Sequence, residues 1–327
     1  PEATVLLPVR NEERDVIACL DTLLAQTTKP LVRVIDDGST DATAGLVAEK
    51  AAREPRLELL PAGPLPPGWR GKVHALWAGS RGVTAPWILT TDADTRHAPD
   101  LLARSLAAAE QERLDAVSLA GFQEARGLGE NLLTPTVFAL LDALLGDWRA
   151  AASSQGPPVA NGQFLLLRRE AWESCGGFAS VRDVPLDDVA IAARLRSGGH
   201  RTGFFREPGL SVRMYRGFAG TVAGWRRNLG GLLGASPRTV AVTLAVLLLP
   251  ALALLAALLA GRWIAAAVLW GTGAVSSALL RSGSGHSPFY GLLYPLDALL
   301  VAGVLTLAVL DRSRGRLVSW KGREMRV

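Results

Sequence analysis

Asp92-Ala93-Asp94 directly follows the apolar run Trp87-Ile88-Leu89-Thr90-Thr91, and the same arrangement recurs along the first half of the chain. Pro8-Val9-Arg10-Asn11-Glu12 closes the run from Val5, Asp36-Asp37-Gly38-Ser39 closes Val34-Ile35, and Leu186-Asp187-Asp188-Val189 opens a helical stretch. Each polar cluster stands where a buried strand ends or a helix begins. In open α/β sheets the ligand lies beyond the carboxyl ends of the strands. The four clusters therefore read as one site rather than as scattered surface charge.

The intervening segments fit that frame. Residues 4–9 read as a strand, and residues 12–25 as a helix with Val16, Ile17, Leu20, Leu23 and Leu24 on one face. Leu31–Ile35 is a second strand, and Ser39 or Thr40 caps a helix running to about Ala52. Leu57–Leu60 is a third strand, followed by a turn-rich loop over 61–71, a helix over 72–82 and the strand Trp87–Thr91. This alternation predicts an α/β fold, a mostly parallel sheet with helices on both faces. Further on, Gln163–Leu167 reads as a strand and Asp188–Arg196 as a helix closed by Gly198-Gly199. Asn131–Leu145 places Leu132, Leu133, Val137, Leu140, Leu141 and Leu144 on one side, which suits either a core helix or one lying in a membrane interface.

Composition changes sharply after residue 235. Hydrophobic residues make up 49% of the 327, and the mean hydropathy is +0.23. The excess is concentrated between Thr239 and Leu310, a stretch almost without charge. Three runs, Thr239–Ala260, Trp263–Leu280 and Gly291–Leu310, are each about long enough to cross a bilayer. The division expected is a catalytic domain over 1–235, an α-helical membrane domain of two to three spans over 236–311, and a basic tail over 312–327. Three crossings would put that tail opposite the catalytic domain, whereas the positive-inside rule favours both on the cytoplasmic side. A re-entrant or interfacial segment would remove the conflict. Asp297, inside the last run, must face protein or water, in a structural role or near an acceptor.

The net charge is +5. The basic residues form no continuous stripe, so nucleic acid is not the partner expected. Arg312, Arg314, Arg316, Lys321, Arg323 and Arg326 instead follow the last apolar run, as in segments that meet anionic phospholipids. The two cysteines, Cys19 and Cys175, fit no metal or disulfide pattern, which points to a reducing compartment. No signal peptide is visible. The chain enters a strand almost at once from Pro1, which leaves room for an upstream segment.

Two carboxylates spaced i, i+2 after a buried strand suit Mg2+ or Mn2+, and such a cation can hold a diphosphate. On that reading Asp92 and Asp94 are the metal ligands. Pro8, Val9, Asn11, Glu12, Asp36 and Asp37 line a base-and-ribose pocket, although Asp36-Asp37-Gly38-Ser39 also fits an ordinary strand-to-helix turn. Lys72 is either a countercharge to the phosphates or a solvated surface lysine. Asp188 is the candidate general base, with one of Asp187 and Asp188 serving as first-turn helix charge.

The four motifs in this order resemble family 2 glycosyltransferases with the GT-A fold, over residues 3 to about 230. The resemblance implies a Rossmann-like GT-A sheet, a nucleotide-diphosphate sugar donor (a UDP-sugar in the first instance), a divalent metal at Asp92 and Asp94, and inversion with Asp188 as base. Many members carry Glu-Asp where this chain has Asp187-Asp188. Processive members carry Gln-x-x-Arg-Trp where this chain has Gly224-Trp225-Arg226-Arg227-Asn228, which implies transfer of one sugar. Arg213-Met214-Tyr215-Arg216, the Gly224–Leu229 segment, the apolar spans and Val318-Ser319-Trp320-Lys321-Gly322-Arg323 are similar to membrane-bound carotenoid and hopanoid-associated glycosyltransferases. These imply an integral protein of the cell membrane, its catalytic domain cytoplasmic, acting on a membrane lipid acceptor. Asp187, Trp225, Arg226 and Trp320 are then candidates for the acceptor side, the two tryptophans having interfacial anchoring as their other reading.

Other readings are a polyprenyl-phosphate acceptor, a catalytically silent binding or assembly protein, and a dinucleotide-dependent oxidoreductase. The last requires a glycine-rich phosphate turn after the first strand. The chain has Pro8-Val9-Arg10-Asn11 there instead.

Overall fold

The computed structural model describes residues 2–145, 158–233, 236–315, 317–320 and 323–326. The chain divides into two compact units, Pro1–Phe122 with Gly146–Val212, and Gln123–Leu145 with Arg213–Val327.

The first unit is built on one eight-stranded sheet. Its strands are β1 (Ala3–Val9), β2 (Leu31–Asp36), β3 (Leu57–Pro61), β4 (Trp87–Thr91), β5 (Thr95–His97), β6 (Ala116–Gln123), β7 (Phe164–Arg168) and β8 (Thr202–Val212), in the order β3-β2-β1-β4-β7-β6-β8-β5. The β3-β2-β1-β4 half is parallel. The other half carries the antiparallel pairings β4–β7, β6–β7 and β5–β8. The helices are α1 (Val16–Leu24), α2 (Thr43–Ala51), α3 (Gly71–Ser80), α4 (Leu101–Gln111), α6 (Arg169–Ser174) and α7 (Asp187–Ser197).

The apolar runs are explained by burial on both faces of the sheet. Val5, Leu6 and Leu7 are fully buried in succession. Leu6 packs with Ile35 and with Val73 and Leu76 of α3. Its neighbours Val5 and Leu7 point to the opposite face, because strand side chains alternate. Gly79 permits the close approach of α3: a Cβ there would lie 2.5 Å from Ile35 Cδ1. The register Val9↔Asp36 sets the carboxyl ends of β1 and β2 side by side.

Helix α1 begins at Val16 rather than at Glu12 as the sequence suggests. The reason is local. Asn11 takes a left-handed φ of 53°, and the Glu12 N–H donates to Thr43 Oγ1 at 2.7 Å. The segment after β1 is thus tied to the start of α2 instead of starting a helix.

The second unit is helical: α5 (Gly127–Leu145), α8 (Gly217–Leu233), α9 (Pro237–Leu259), α10 (Trp263–Gly283) and α11 (Leu296–Ser313), then the antiparallel hairpin β9 (Leu317–Trp320) and β10 (Arg323–Arg326). Two helices, α9 and α10, are long and apolar enough to cross a membrane, with mean hydropathies of 2.7 and 1.6. Apolar side chains of both are exposed: Val246 is 62% exposed and Ile264 86%.

The third apolar run, Gly291–Leu310, is divided between a 3-10 turn, Pro288–Leu293, and the 18-residue α11. Helix α11 carries buried Asp297 and Asp311, and its Val301, Leu305 and Ala308 pack against Leu133, Val137, Trp225 and Leu247. Helix α5 contributes Leu133, Val137 and Leu141 to the same core, as in the first of its two sequence readings. Asp297 pairs with Arg281 at 3.1 Å, a structural partner within this unit. Arg316, Lys321 and Gly322 of the expected basic tail lie outside the described residues.

Candidate active site

The loops after β1 and β2 hold each other through side chains. The Arg10 guanidinium donates to the carbonyls of Asp37 and Gly38. The Asn11 N–H donates to Ser39 Oγ at 3.0 Å, and Asn11 Oδ1 accepts from the Thr40 N–H at 2.8 Å. Asp36 Oδ1 accepts from Ser39 Oγ at 2.5 Å and from the Ser39 N–H at 3.2 Å, closing its own turn. Asp37 is buried, and its N–H donates to the Val9 carbonyl at 2.9 Å. Pro8, Val9, Asn11, Glu12, Asp36 and Asp37 therefore form one rim at the carboxyl ends of β1 and β2.

Asp92 and Asp94 sit in the tight connection between β4 and β5, both partly exposed. A buried polar layer supports this turn. Thr95 Oγ1 donates to the Asp92 carbonyl at 2.7 Å, and Cys19 Sγ lies 3.6 Å from the same carbonyl. The His97 ring stands between Thr22 Oγ1, 3.2 Å from Nδ1, and Thr91 Oγ1, 3.1 Å from Nε2. Burial, helped by the Arg96 charge, pushes the His97 imidazole down to about 3, so it is neutral. Burial pushes the Cys19 thiol up to about 12, so it is an inert packing group. Arg96 pairs with Asp15 at 3.0 Å and joins α1 to the turn.

The fourth cluster meets the third through Lys72. From the first turn of α3, Lys72 Nζ reaches Asp92 Oδ1 at 2.6 Å. Burial acts to lower the ammonium pKa, but the carboxylates of Asp92, Asp187 and Asp188 outweigh it and hold the group above its ordinary value. Lys72 is thus paired with Asp92 rather than free in solvent. Arg70, just before α3, donates its N–H to the Arg182 carbonyl at 2.8 Å and its Nε to the Asp183 carbonyl at 3.1 Å. These bonds fasten the start of α3 to the loop that leads into Asp187 and Asp188.

Asp188 opens α7. Its Oδ2 accepts from the Gly162 N–H at 2.6 Å and its Oδ1 from the Val189 N–H at 2.8 Å. Burial, then the neighbouring Asp187 carboxylate, raise the Asp188 carboxyl to about 6, while Lys72 and the two backbone donors oppose the rise. Asp187 is also raised, by burial first, with Lys72 opposing and Asp92 adding to it. A carboxyl poised near neutrality is suited to proton transfer.

A family profile described as Glycosyl transferase family 2 matches residues 4–173, from β1 through the Asp92 turn to α6. The chain belongs to glycosyl transferase family 2. Among the relatives of this family-2 chain is a beta-monoglucosyldiacylglycerol synthase of Nostoc sp. (strain PCC 7120), 31% identical over 60% of this chain and 41% of the relative. Another is a 4,4'-diaponeurosporenoate glycosyltransferase of Staphylococcus aureus, 26% identical over 73% of this chain and 64% of the relative. The chain thus spans 41% to 64% of the length of these relatives. Among solved structures, the mannosyltransferase PcManGT from Pyrobaculum calidifontis, in complex with GDP-Man and Mn2+, superposes with a TM-score of 0.59 at 26% identity, covering 95% of this chain and 86% of that one. The sheet and helices are those of the GT-A-like fold.

The residues foreseen for an acceptor belong to both units. Asp187 lies in the site. Trp225 is 1% exposed in the core of the second unit, edge-on to Phe138 and Tyr215 at 5.4 and 5.5 Å. Arg226 is bound to Asp311 in the same unit. Trp320 belongs to β9, its side chain outside the described residues. The family motifs gave no sign of Gly162, which contributes its backbone N–H, of Arg70, which contributes its N–H and its guanidinium, or of Thr43, which receives Glu12.

Proposed function

We propose that the chain transfers one sugar from a nucleotide-diphosphate donor to a hydroxyl of a membrane lipid, with inversion at the anomeric carbon. The observation that carries this reading is the convergence of the Asp92, Asp187 and Asp188 carboxylates on the Lys72 ammonium, where β4 ends and α3 and α7 begin. The rim from Asn11 to Asp37 receives the nucleoside, a uridine in the first instance. The GDP-Man of the Pyrobaculum structure makes guanosine the base to compare.

Among the described residues no third His, Cys, Asp or Glu joins Asp92 and Asp94 in a metal-holding group. Two carboxylates suffice where diphosphate oxygens and water complete the shell, which is the habit of Mg2+ and Mn2+. Asp92 and Asp94 would hold such a cation, and when bound it supplies charge neutralisation to the leaving diphosphate. Asp188 accepts the acceptor hydroxyl's proton as the new C–O bond forms at the anomeric carbon. The bond from that carbon to the diphosphate breaks, and its electron pair leaves with the nucleoside diphosphate. Asp188 is held for this by Gly162 and Val189.

The names of the Nostoc and Staphylococcus relatives support a lipid acceptor, a diacylglycerol type or a diaponeurosporenoate type. Helices α9 and α10 are the proposed anchors of an integral membrane protein. Two crossings return the chain to its starting side, so Arg226 and Arg227 before them and Arg312 and Arg314 after them all fall on the cytoplasmic side. An even number of spans thus removes the conflict that three would create. The tail arginines are then placed to meet anionic phospholipids.

The test is incubation of the full chain in detergent with UDP- and GDP-sugars, a divalent cation and a lipid extract, with new glycolipids read by mass spectrometry. One nucleotide sugar should give a glycolipid, Asp94→Asn should lose metal-dependent donor binding, and Asp188→Asn should keep donor binding but lose transfer. Wild-type turnover by Asp188→Asn would remove it as base, and no glycolipid from any donor would remove the whole reading.

A further inference from the structure

Lys72 stands where a cation is needed before any cation has to be bound. Its Nζ lies 2.6 Å from Asp92 Oδ1. Gly162 leaves the space beside it: a Cβ there would fall 2.9 Å from Lys72 Nζ and 3.4 Å from Asp188 Oδ2. The lysine is directed into this place by α3, whose start is fastened through Arg70 to the carbonyls of Arg182 and Asp183. The ammonium thus balances charge that would otherwise be several carboxylates facing one another.

Two cations cannot both make close contact with the same face of Asp92. Nor can a divalent ion approach an ammonium a few ångströms away without strong repulsion. The protein offers few compensating ligands, since no group of three or more His, Cys, Asp and Glu residues surrounds the turn among the described residues. A diphosphate changes this balance. It gives the ammonium another anion to bind, and it brings further oxygens for a divalent ion.

We propose that Lys72 is a resident counter-cation that competes with the divalent metal for Asp92, so that the metal binds tightly only together with the donor diphosphate. This inference rests on the reading of Asp92 as a metal ligand given above. Lys72 acts here as a positioning residue: by occupying Asp92 it sets the order of assembly. By linkage, the same coupling makes the donor bind more tightly when metal is present.

The experiment measures Mn2+ binding to the full chain in detergent, from the electron paramagnetic resonance signal of free Mn2+, with and without UDP or GDP. Wild type should bind Mn2+ weakly alone and at least about tenfold more tightly with the matching nucleoside diphosphate. Lys72→Met should bind Mn2+ alone at least about tenfold more tightly than wild type, and gain less from the nucleotide. Lys72→Gln, of similar length and uncharged, should behave the same, and thermal unfolding of both variants identifies any that fail to fold. Asp92→Asn should lose Mn2+ in both conditions. Lys72 variants that bind Mn2+ no better than wild type, with Asp92→Asn still losing it, would overturn the competition and leave the metal site standing. An Asp92→Asn protein that binds Mn2+ as wild type does would overturn both.

Discussion

Gly162 donates its N–H to Asp188 Oδ2 at 2.6 Å, and it also leaves the space that the Lys72 ammonium fills. One residue without a side chain therefore sets the position of a carboxylate and of its neighbouring cation. Gly162→Ala separates site geometry from stability. The new methyl would meet Lys72 Nζ at 2.9 Å, and that atom is the end of a flexible chain that can swing aside. The melting temperature should change by no more than about 2 °C. The turnover number should fall by about tenfold to a hundredfold, as displacement of a positioned group does. A variant with wild-type kinetics would show that Lys72 and Asp188 tolerate displacement.

The pH dependence follows from Asp188. As the proposed base it must be ionised, so kcat/KM should rise with pH through an acidic limb near 6. Asp187→Asn removes the like charge that adds to the burial effect, and the limb should move to lower pH. The stability change has the opposite sign to the activity change. A carboxyl raised in the fold favours the protonated form there, so its contribution is present at low pH and is lost as pH rises through the folded value. Asp188→Asn should therefore be at least as stable as wild type at pH 8 while inactive. A less stable variant at that pH, followed by thermal unfolding, would show that the carboxylate supports the fold.

The strand ends that carry the candidate site were legible because polar residues interrupt long apolar runs there. Strands β1, β2 and β4 are buried on both faces, so their ends are marked wherever Asn11, Asp36 or Asp92 appears. Strands β6 and β8 were not readable: Ala116–Gln123 contains Ser118 and Gly121, and Thr202–Val212 contains Pro208-Gly209. Gly162 acts on the site through its main-chain N–H and Arg70 through its N–H and its guanidinium, and single residues of such types carry no pattern. In α11, hydropathy does not tell which way Asp297 and Asp311 face. Both point into the helical unit, which a count of apolar residues cannot register.

Glu130 offers a stability test in the second unit. Its carboxylate accepts from the Arg126 and Gly217 N–H groups at 2.8 and 2.7 Å and from Arg213 at 2.9 and 3.2 Å. Burial alone would raise its pKa, but Arg213 and the two backbone donors hold it below the ordinary glutamate value. Its contribution is therefore present at neutral pH and lost as pH falls through the folded value. Glu130→Ala should cost about 3–5 kcal/mol, the usual result of leaving a partner charge unpaired. Denaturant titration read by tryptophan fluorescence measures it, and a cost below about 1 kcal/mol would mean that water replaces these bonds.

Arg281 and Asp297 form the most deeply buried ion pair among the described residues, both almost inaccessible and 3.1 Å apart. Arg281 also donates to the Asn131 carbonyl at 2.6 Å, and Asp297 accepts from Ser277 Oγ at 3.0 Å and Thr136 Oγ1 at 3.3 Å. The pair joins α10, α11 and α5, yet both charges have been taken out of water. Removing one partner leaves the other buried and unpaired, so Arg281→Met and Asp297→Leu should each cost about 3–5 kcal/mol. The double variant should cost much less than the sum, because it removes the unpaired charge together with its partner. Thermal unfolding of the three variants in detergent closes the cycle. Additive losses would mean that the two side chains stabilise the helices independently, each through its own hydrogen bonds to Asn131, Ser277 and Thr136.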